Sequence, residues 1–207
     1  MKDSVVNTMI GTETIAFLKF WGVLPAAFLV TIIYVKLVSI MKGETIFYLI
    51  MSVFLSFFGL FAFVLFPNYQ YFHLDPTYAN HLGSIYPNLK WFILLLSNWS
   101  FSLFYIIAEL WPNAVFALLF WQFVNKITTV EESKRFYPLF GLLGQTGLYI
   151  AGTFLMNLSN MSNYIISNFS TNADKSVVSI QIVISVVLAL GVLALVAFWL
   201  INTKILD

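Results

Sequence analysis

The chain has 207 residues, of which 60% are hydrophobic, 18% aromatic and only 9% charged, and its mean hydropathy is +0.90. Soluble domains carry about 25% charged residues, so this composition excludes an ordinary soluble domain and predicts a polytopic membrane protein. The net charge of +1 argues against a nucleic-acid surface, and the absence of cysteine excludes disulfides, thiol nucleophiles and thiolate metal sites.

Apolar stretches of membrane-spanning length recur along the whole chain and predict an all-α bundle forming a single transmembrane domain over residues 1–207. We expect five spans, at residues 15–40, 45–66, 91–124, 137–157 and 177–201. The third is longer than a hydrocarbon core of about 30 Å requires, so it should tilt, kink or project beyond the membrane. Lys126, Lys134 and Arg135 follow it and mark the cytoplasmic side.

The loops carry weaker signals. His73, Asp75 and His81 lie between the second and third spans, but their spacing matches no dense ligand pattern, so we expect no metal site. Thr129 and Glu132 have the spacing of a capping box, which predicts a short surface helix. Residues 158–176 are rich in Asn and Ser and predict an external loop.

The third span contains an acid, Glu109, near its middle. A carboxylate at the centre of a membrane helix costs roughly 2.5–3.5 kcal/mol on insertion scales, so it is first of all a functional hypothesis. At 100° per residue it shares a line with other polar side chains. These are Asn98, Ser102, Tyr105 and Asn113. The alternative interpretation is that Glu109 pairs with a lysine of another helix only to hold the bundle together.

Pro112 follows Glu109 in the same span. Proline has no N–H to donate to the carbonyl of Ala108, and its ring crowds the preceding turn, so we expect a kink beside the acid. Kinked helices next to a mid-membrane acid are how many transporters build their substrate sites.

Four segments together resemble one known family. They are KDSVVNT, FLKFWGVLPAAF, NWSFSLFYIIAELW and LLFWQFVNKITTVEESKRFYPLFGLLG. They are similar to the non-mitochondrial ATP/ADP antiporters of obligate intracellular bacteria and plastids, and most of all to the rickettsial type. The resemblance implies a fold similar to the major facilitator superfamily, with twelve spans, of which this chain would supply an incomplete N-terminal half. It also implies exchange of ATP for ADP, or import of other nucleotides, across a bacterial inner membrane.

The same resemblance implies two site residues. The family's Lys-Asp pair and Ala-Glu-Leu-Trp motif are implicated in nucleotide transport, and they correspond to Lys2 and Glu109 here. Asn98 and Tyr105 are our own additions, because periodicity places them on the line of Glu109. The chain departs from the family pattern at Pro112-Asn113, where the resemblance implies a small residue, and at Lys126, where it implies a glutamine.

Two other functions stay open on the sequence. In the first alternative, the chain is a truncated remnant without transport activity, or it is a membrane assembly subunit. Its partner is then a missing transporter half or a second copy of itself in a homo-oligomer. Alternatively it is an intramembrane enzyme that uses Glu109 as general acid or base, although the spans offer no histidine, cysteine or second acid as its partner. Under the transport hypothesis the partners are nucleotides and membrane lipid, without nucleic acid and without a cofactor.

Overall fold

A computed structural model describes residues 2–169 and 174–204, and these two ranges contain helices and turns but no strand. The helices are α1 Lys2–Met9, α2 Glu13–Ile40, α3 Gly43–Leu65, α4 Tyr69–Phe72, α5 Pro76–Ile85, α6 Lys90–Ser97, α7 (Trp99–Pro112, Asn113–Phe120 and Trp121–Ile127), α8 Val130–Phe169 and α9 Lys175–Lys204. The expected all-α class is therefore confirmed.

Five helices of the described residues are long and apolar enough to cross a membrane, namely α2, α3, α7, α8 and α9. The third of them begins at Trp99, whereas the sequence predicted a span from residue 91. The interruption is at Asn98, whose backbone leaves the helical region (φ −111°, ψ 41°) and whose side chain donates to the carbonyl of Leu94. An asparagine side chain can compete with the helix for backbone groups in this way.

Helix α8 is longer than the predicted fourth span. Its start is the predicted capping box, which is confirmed: the Thr129 N–H donates to Glu132 Oε2 at 2.9 Å, and the Glu132 N–H donates to Thr129 Oγ1 at 3.4 Å. The helix that follows is not short, however, because it continues directly through the fourth span to Phe169.

Residues 158–169, for which the sequence predicted a loop, are helical. Their Asn and Ser side chains donate to carbonyls three or four residues earlier, as Ser162 does to Leu158 and Asn168 does to Tyr164. Ser162 also bonds to Ser179 of α9 at 2.8 Å. The polar residues therefore extend the helix instead of ending it; residues 170–173 of the predicted loop lie outside the described residues.

Three of the long helices change to π-helical hydrogen bonding over part of their length. The stretches are Lys19–Val23, Phe61–Leu65 and Asn113–Phe120. The last follows Pro112 directly, so the helix passes through the proline and relaxes its hydrogen-bond pattern on the C-terminal side. Such insertions are frequent at functional sites and are a recognised cause of bends.

The core lies between α3, α7 and α9 and is mainly aromatic. Phe61 of α3 stacks on Phe104 of α7 with ring centroids 4.0 Å apart, and Phe58 meets the same ring edge-on. On the other side of α3, Leu55 occupies the space that a side chain at Gly191 of α9 would need. These contacts fix α7 in the bundle, and α1 packs against it.

Candidate functional site

Glu109 of α7 forms an ion pair with Lys2 of α1. The distance from Lys2 Nζ to Glu109 Oε2 is 2.9 Å, and Lys2 Nζ lies 3.2 Å from Asp3 Oδ2. The side chains of Lys2 and Glu109 are each 29% exposed, and that of Asp3 is 52% exposed. The lysine is thus held by two carboxylates in a place that is not sealed from its surroundings.

Tyr105, one turn before Glu109 on α7, completes the cluster. Its hydroxyl donates to Asp3 Oδ1 at 3.0 Å, and Lys2 Nζ lies 5.5 Å from the centroid of its ring. The residue is fully buried. Its ring is within the range of a cation–π contact, and its hydroxyl fixes the acid that also holds Lys2.

The local sequence explains why α1 presents Lys2 to α7. Val6, one turn after Lys2 on the same helix face, is fully buried against Leu18 and Tyr105. At the end of α1 the chain reverses at Gly11, whose φ of 121° is open to glycine but strained for other residues. The Thr14 hydroxyl closes this turn by donating to the carbonyl of Gly11.

The structure brings together three of the four residues that the sequence suggested: Lys2, Glu109 and Tyr105. The fourth, Asn98, lies at the break before α7, where its side chain donates to Leu94 rather than to the cluster. Ser102 of the same polar line donates to the carbonyl of Leu95. The periodicity of a straight helix placed Asn98 on the line of Glu109. The helix is interrupted at Asn98, however, and α7 begins only after it, at Trp99.

Asp3 is the residue that sequence reasoning left out of the site. It was visible as the second member of the Lys-Asp pair, but nothing in the sequence showed that it joins Lys2 to Tyr105. That bridge spans 102 positions of the chain and depends on the packing of α1 against α7.

The residues considered for a metal have other roles. His73 bonds to Ser100 Oγ at 2.7 Å, and its partial burial lowers the pKa of its imidazole. Asp75 caps α5 by accepting from the N–H groups of Thr77 and Tyr78. The described residues contain no group of three potential ligands close enough to hold a metal ion.

Chemically, this cluster can exchange ions. Lys2 contributes one positive charge and Asp3 and Glu109 two negative charges, all within one cluster of side chains in contact. An anion that reaches Lys2 can take the place of a carboxylate on the ammonium. A lysine ammonium suits phosphate as a compact point charge.

A bundle of membrane-length helices, one of which carries an acid that forms a partly exposed ion pair with α1, defines an integral membrane protein with a charged site of the kind found in transporters. The family model described as TLC ATP/ADP transporter matches residues 1–207, and the chain belongs to this family of transporters. The resemblance found in the sequence is thereby confirmed.

Individual relatives agree with the family. The chain is 66% identical over its full length to ADP,ATP carrier protein 4 of Rickettsia bellii (strain RML369-C) and to that of Rickettsia prowazekii (strain Madrid E). It is 42% identical to ADP,ATP carrier protein 3 of Rickettsia typhi (strain ATCC VR-144 / Wilmington). The chain spans 40% of the length of the first two relatives and 42% of the third. No solved structure matches it.

Proposed function

We propose that this chain takes part in nucleotide transport across a bacterial inner membrane, exchanging ATP for ADP by alternating access. The observation that carries the proposal is the ion pair of Lys2 on α1 with Glu109 on the membrane-length helix α7, in which each side chain is 29% exposed. Membership of an ATP/ADP transporter family and relatives named ADP,ATP carrier proteins support the choice of substrate.

In this mechanism Lys2 is the contact for the polyphosphate, and Glu109 is its exchangeable counter-charge. Glu109 and Asp3 neutralise Lys2 and so limit the cost of a charge at membrane depth. When phosphate oxygens replace the carboxylate, Glu109 is released and favours a different arrangement of the helices. Tyr105 keeps Asp3 in position throughout, because its hydroxyl donates to the other carboxylate oxygen.

Exchange of ATP for ADP moves one net charge, so its direction responds to the membrane potential. Each charge moved through the full potential is worth about 2.3 kcal/mol per 100 mV. The exposed apolar sides of the long helices, such as Leu142 and Leu148 of α8, fit contact with lipid or with another membrane helix.

The experiment is uptake of α-labelled ATP, GTP, CTP and UTP by intact bacteria that produce this chain, followed by a chase with unlabelled ADP. Uptake that ADP reverses supports exchange and identifies the nucleotide. Membrane insertion without uptake of any of the four contradicts transport by this chain and favours the role of a membrane assembly subunit. Its oligomeric state in detergent then shows whether it assembles with itself.

Glu109→Gln tests the role of the ion pair directly. The amide keeps the size of the side chain but removes the charge whose release from Lys2 links phosphate binding to the rearrangement of the helices, so we expect exchange to fall about 10-fold or more. The matched control is Glu131→Gln, an exposed acid at the start of α8. Equal exchange rates in the two variants at equal membrane abundance would remove Glu109 from the mechanism.

A further inference from the structure

Lys19 lies on the protein-facing side of α2. At 100° per residue, the partly buried positions Ile15, Gly22, Val23 and Ala26 lie within about 60° of it, as does the exposed Ala16. The lipid-facing side of the same helix carries large exposed apolar residues. These are Phe20, Trp21, Leu24 and Phe28. Lys19 is itself exposed, so its ammonium is not enclosed by packed side chains.

The residues around Lys19 place it next to the cluster of Lys2, Asp3, Tyr105 and Glu109. Its neighbour Leu18 packs on Tyr105, and a Cβ at Gly22 would lie 2.9 Å from Ile106 Cδ1, so α2 and α7 approach closely here. The charge of Lys19 is near enough to interact with the carboxylate of Asp3. Lys19 therefore lies at about the depth of the site.

Two further features distinguish Lys19 from an ordinary surface lysine. It begins the π-helical stretch Lys19–Val23, and its carbonyl accepts from the N–H of Leu24. Such insertions often mark functional positions. In addition, neither of the ion pairs in the described residues includes Lys19. A cation inside an apolar helix is costly, and one without an ion pair is placed to meet an incoming anion.

We propose that Lys19 is a second cationic contact for the polyphosphate of the nucleotide, acting beside Lys2. This inference rests on the proposed function and extends it. Lys2 and Lys19 together balance Asp3 and Glu109, so the four side chains carry no net charge. A nucleoside di- or triphosphate brings several negative charges, more than a single ammonium already shared with two carboxylates can neutralise. Lys19 then makes affinity depend on the number of phosphates.

The test is equilibrium binding of adenosine, AMP, ADP and ATP to the purified full chain in lipid nanodiscs. For Lys19→Gln we expect the affinity for ATP to fall about 10-fold or more, with a smaller loss for AMP and none for adenosine. Lys19→Arg retains the charge and should retain most of the preference for ATP. Lys36→Gln, an exposed lysine near the other end of α2, is the control and should bind all four ligands as the unchanged chain does.

The outcomes separate this inference from the proposed function. If Lys19→Gln binds ATP normally while Lys2→Gln does not, Lys19 is not a phosphate contact and the proposed function stands. If Lys19→Gln weakens adenosine as much as ATP, its role is structural and the inference is overturned. If the unchanged chain binds none of the nucleotides, both fail.

Discussion

Glu109 shows how an acid can persist inside a membrane helix. Its carboxylate reaches an ammonium at 2.9 Å, which offsets part of the cost of its charge, yet both partners remain 29% exposed. A fully buried ion pair that only holds two helices together offsets its desolvation cost only when every remaining hydrogen bond is made. Partial exposure instead leaves Lys2 accessible to a competing anion, which is the property the proposed exchange requires.

Tyr105→Phe tests whether the hydrogen bond to Asp3 matters for exchange. The change removes only the hydroxyl and leaves the buried ring in its packing, so the fold should be retained. We expect exchange to fall about 3- to 10-fold, since a net hydrogen bond contributes about 0.5–1.5 kcal/mol. The measurement is the initial rate of labelled ATP uptake.

Tyr149→Phe is the control for this prediction, because Tyr149 is 78% exposed on α8. Should Tyr105→Phe transport as fast as Tyr149→Phe, the hydroxyl does not position Asp3 for transport.

At the scale of helices, the irregular turns lie beside the site. The π-helical stretch Lys19–Val23 faces α7, and Asn113–Phe120 follows the helical segment that carries Tyr105 and Glu109. Each relaxes the regular i to i−4 bonding and lets a helix bend without an exposed break. Glu109 and Tyr105 themselves lie in regular α-helix, next to these irregular turns.

The cap of α5 should depend on pH. Hydrogen bonds from Thr77, followed by that from Tyr78, lower the pKa of Asp75 below its ordinary value of about 3.9. A lowered folded-state pKa means that the stabilisation is fully present above about pH 4 and is lost as the pH falls through the lower pKa of the folded state. The protection factors of the Thr77 and Tyr78 amides against hydrogen exchange should therefore fall below that pH.

Asp75→Asn is the matched variant for the cap. Asparagine accepts the same hydrogen bonds without titrating, so the protection factors of these two amides should lose their acid dependence. An unchanged acid dependence in Asp75→Asn would show that another group is responsible.

Gly191 sets the distance between α9 and α3. A Cβ at this position would lie 2.4 Å from Leu55 Cδ2, so Gly191→Leu must push the helices apart or force Leu55 to move. Overpacking of this kind costs about 1–3 kcal/mol. We expect the Tm of the purified chain in detergent to fall by about 3–10 °C.

Gly144→Leu provides the comparison, because a Cβ at Gly144 on α8 has no atom within 4 Å in the described residues. Both substitutions replace a helical glycine and gain about the same helix propensity. If the two variants melt together, the contact between Gly191 and Leu55 does not limit the packing.

For the molecule as a whole, the basic residues orient the bundle. Lys134 and Arg135 follow α7 at the start of α8, and the positive-inside rule places this end in the cytoplasm. α4 and α5 lie at the other end of α7, so they should face outward. Glu109 then lies on a helix that runs from the outside to the inside.

The chain has no cysteine, so single cysteines can report this orientation without a prior deletion. Asn88→Cys, in the exposed turn before α6, should react with a membrane-impermeant maleimide in intact spheroplasts. Glu131→Cys, at the start of α8, should react only after permeabilisation. The reverse pattern would show that the topology is inverted. Nucleotide would then reach Lys2 and Glu109 from the opposite side of the membrane.

The sequence and its resemblance to a family predicted much of the site. Lys2 and Glu109 came from the family motifs and Tyr105 from periodicity, and the structure places all three together. Asn98 came from the same periodicity but lies elsewhere, because a pattern at 100° per residue assumes an unbroken helix. Whether these side chains act in transport stays a prediction.

The sequence by itself determined the class of this protein and the presence of an acid inside a span. A membrane helix must satisfy its own backbone hydrogen bonds, so apolar length is enough to predict it. Only the tertiary structure decided what Glu109 pairs with, that Asp3 joins Lys2 to Tyr105, and that Leu18 of α2 packs with Tyr105. Those relations connect α1, α2 and α7 across long separations in sequence, and they are set by packing, which no local pattern records.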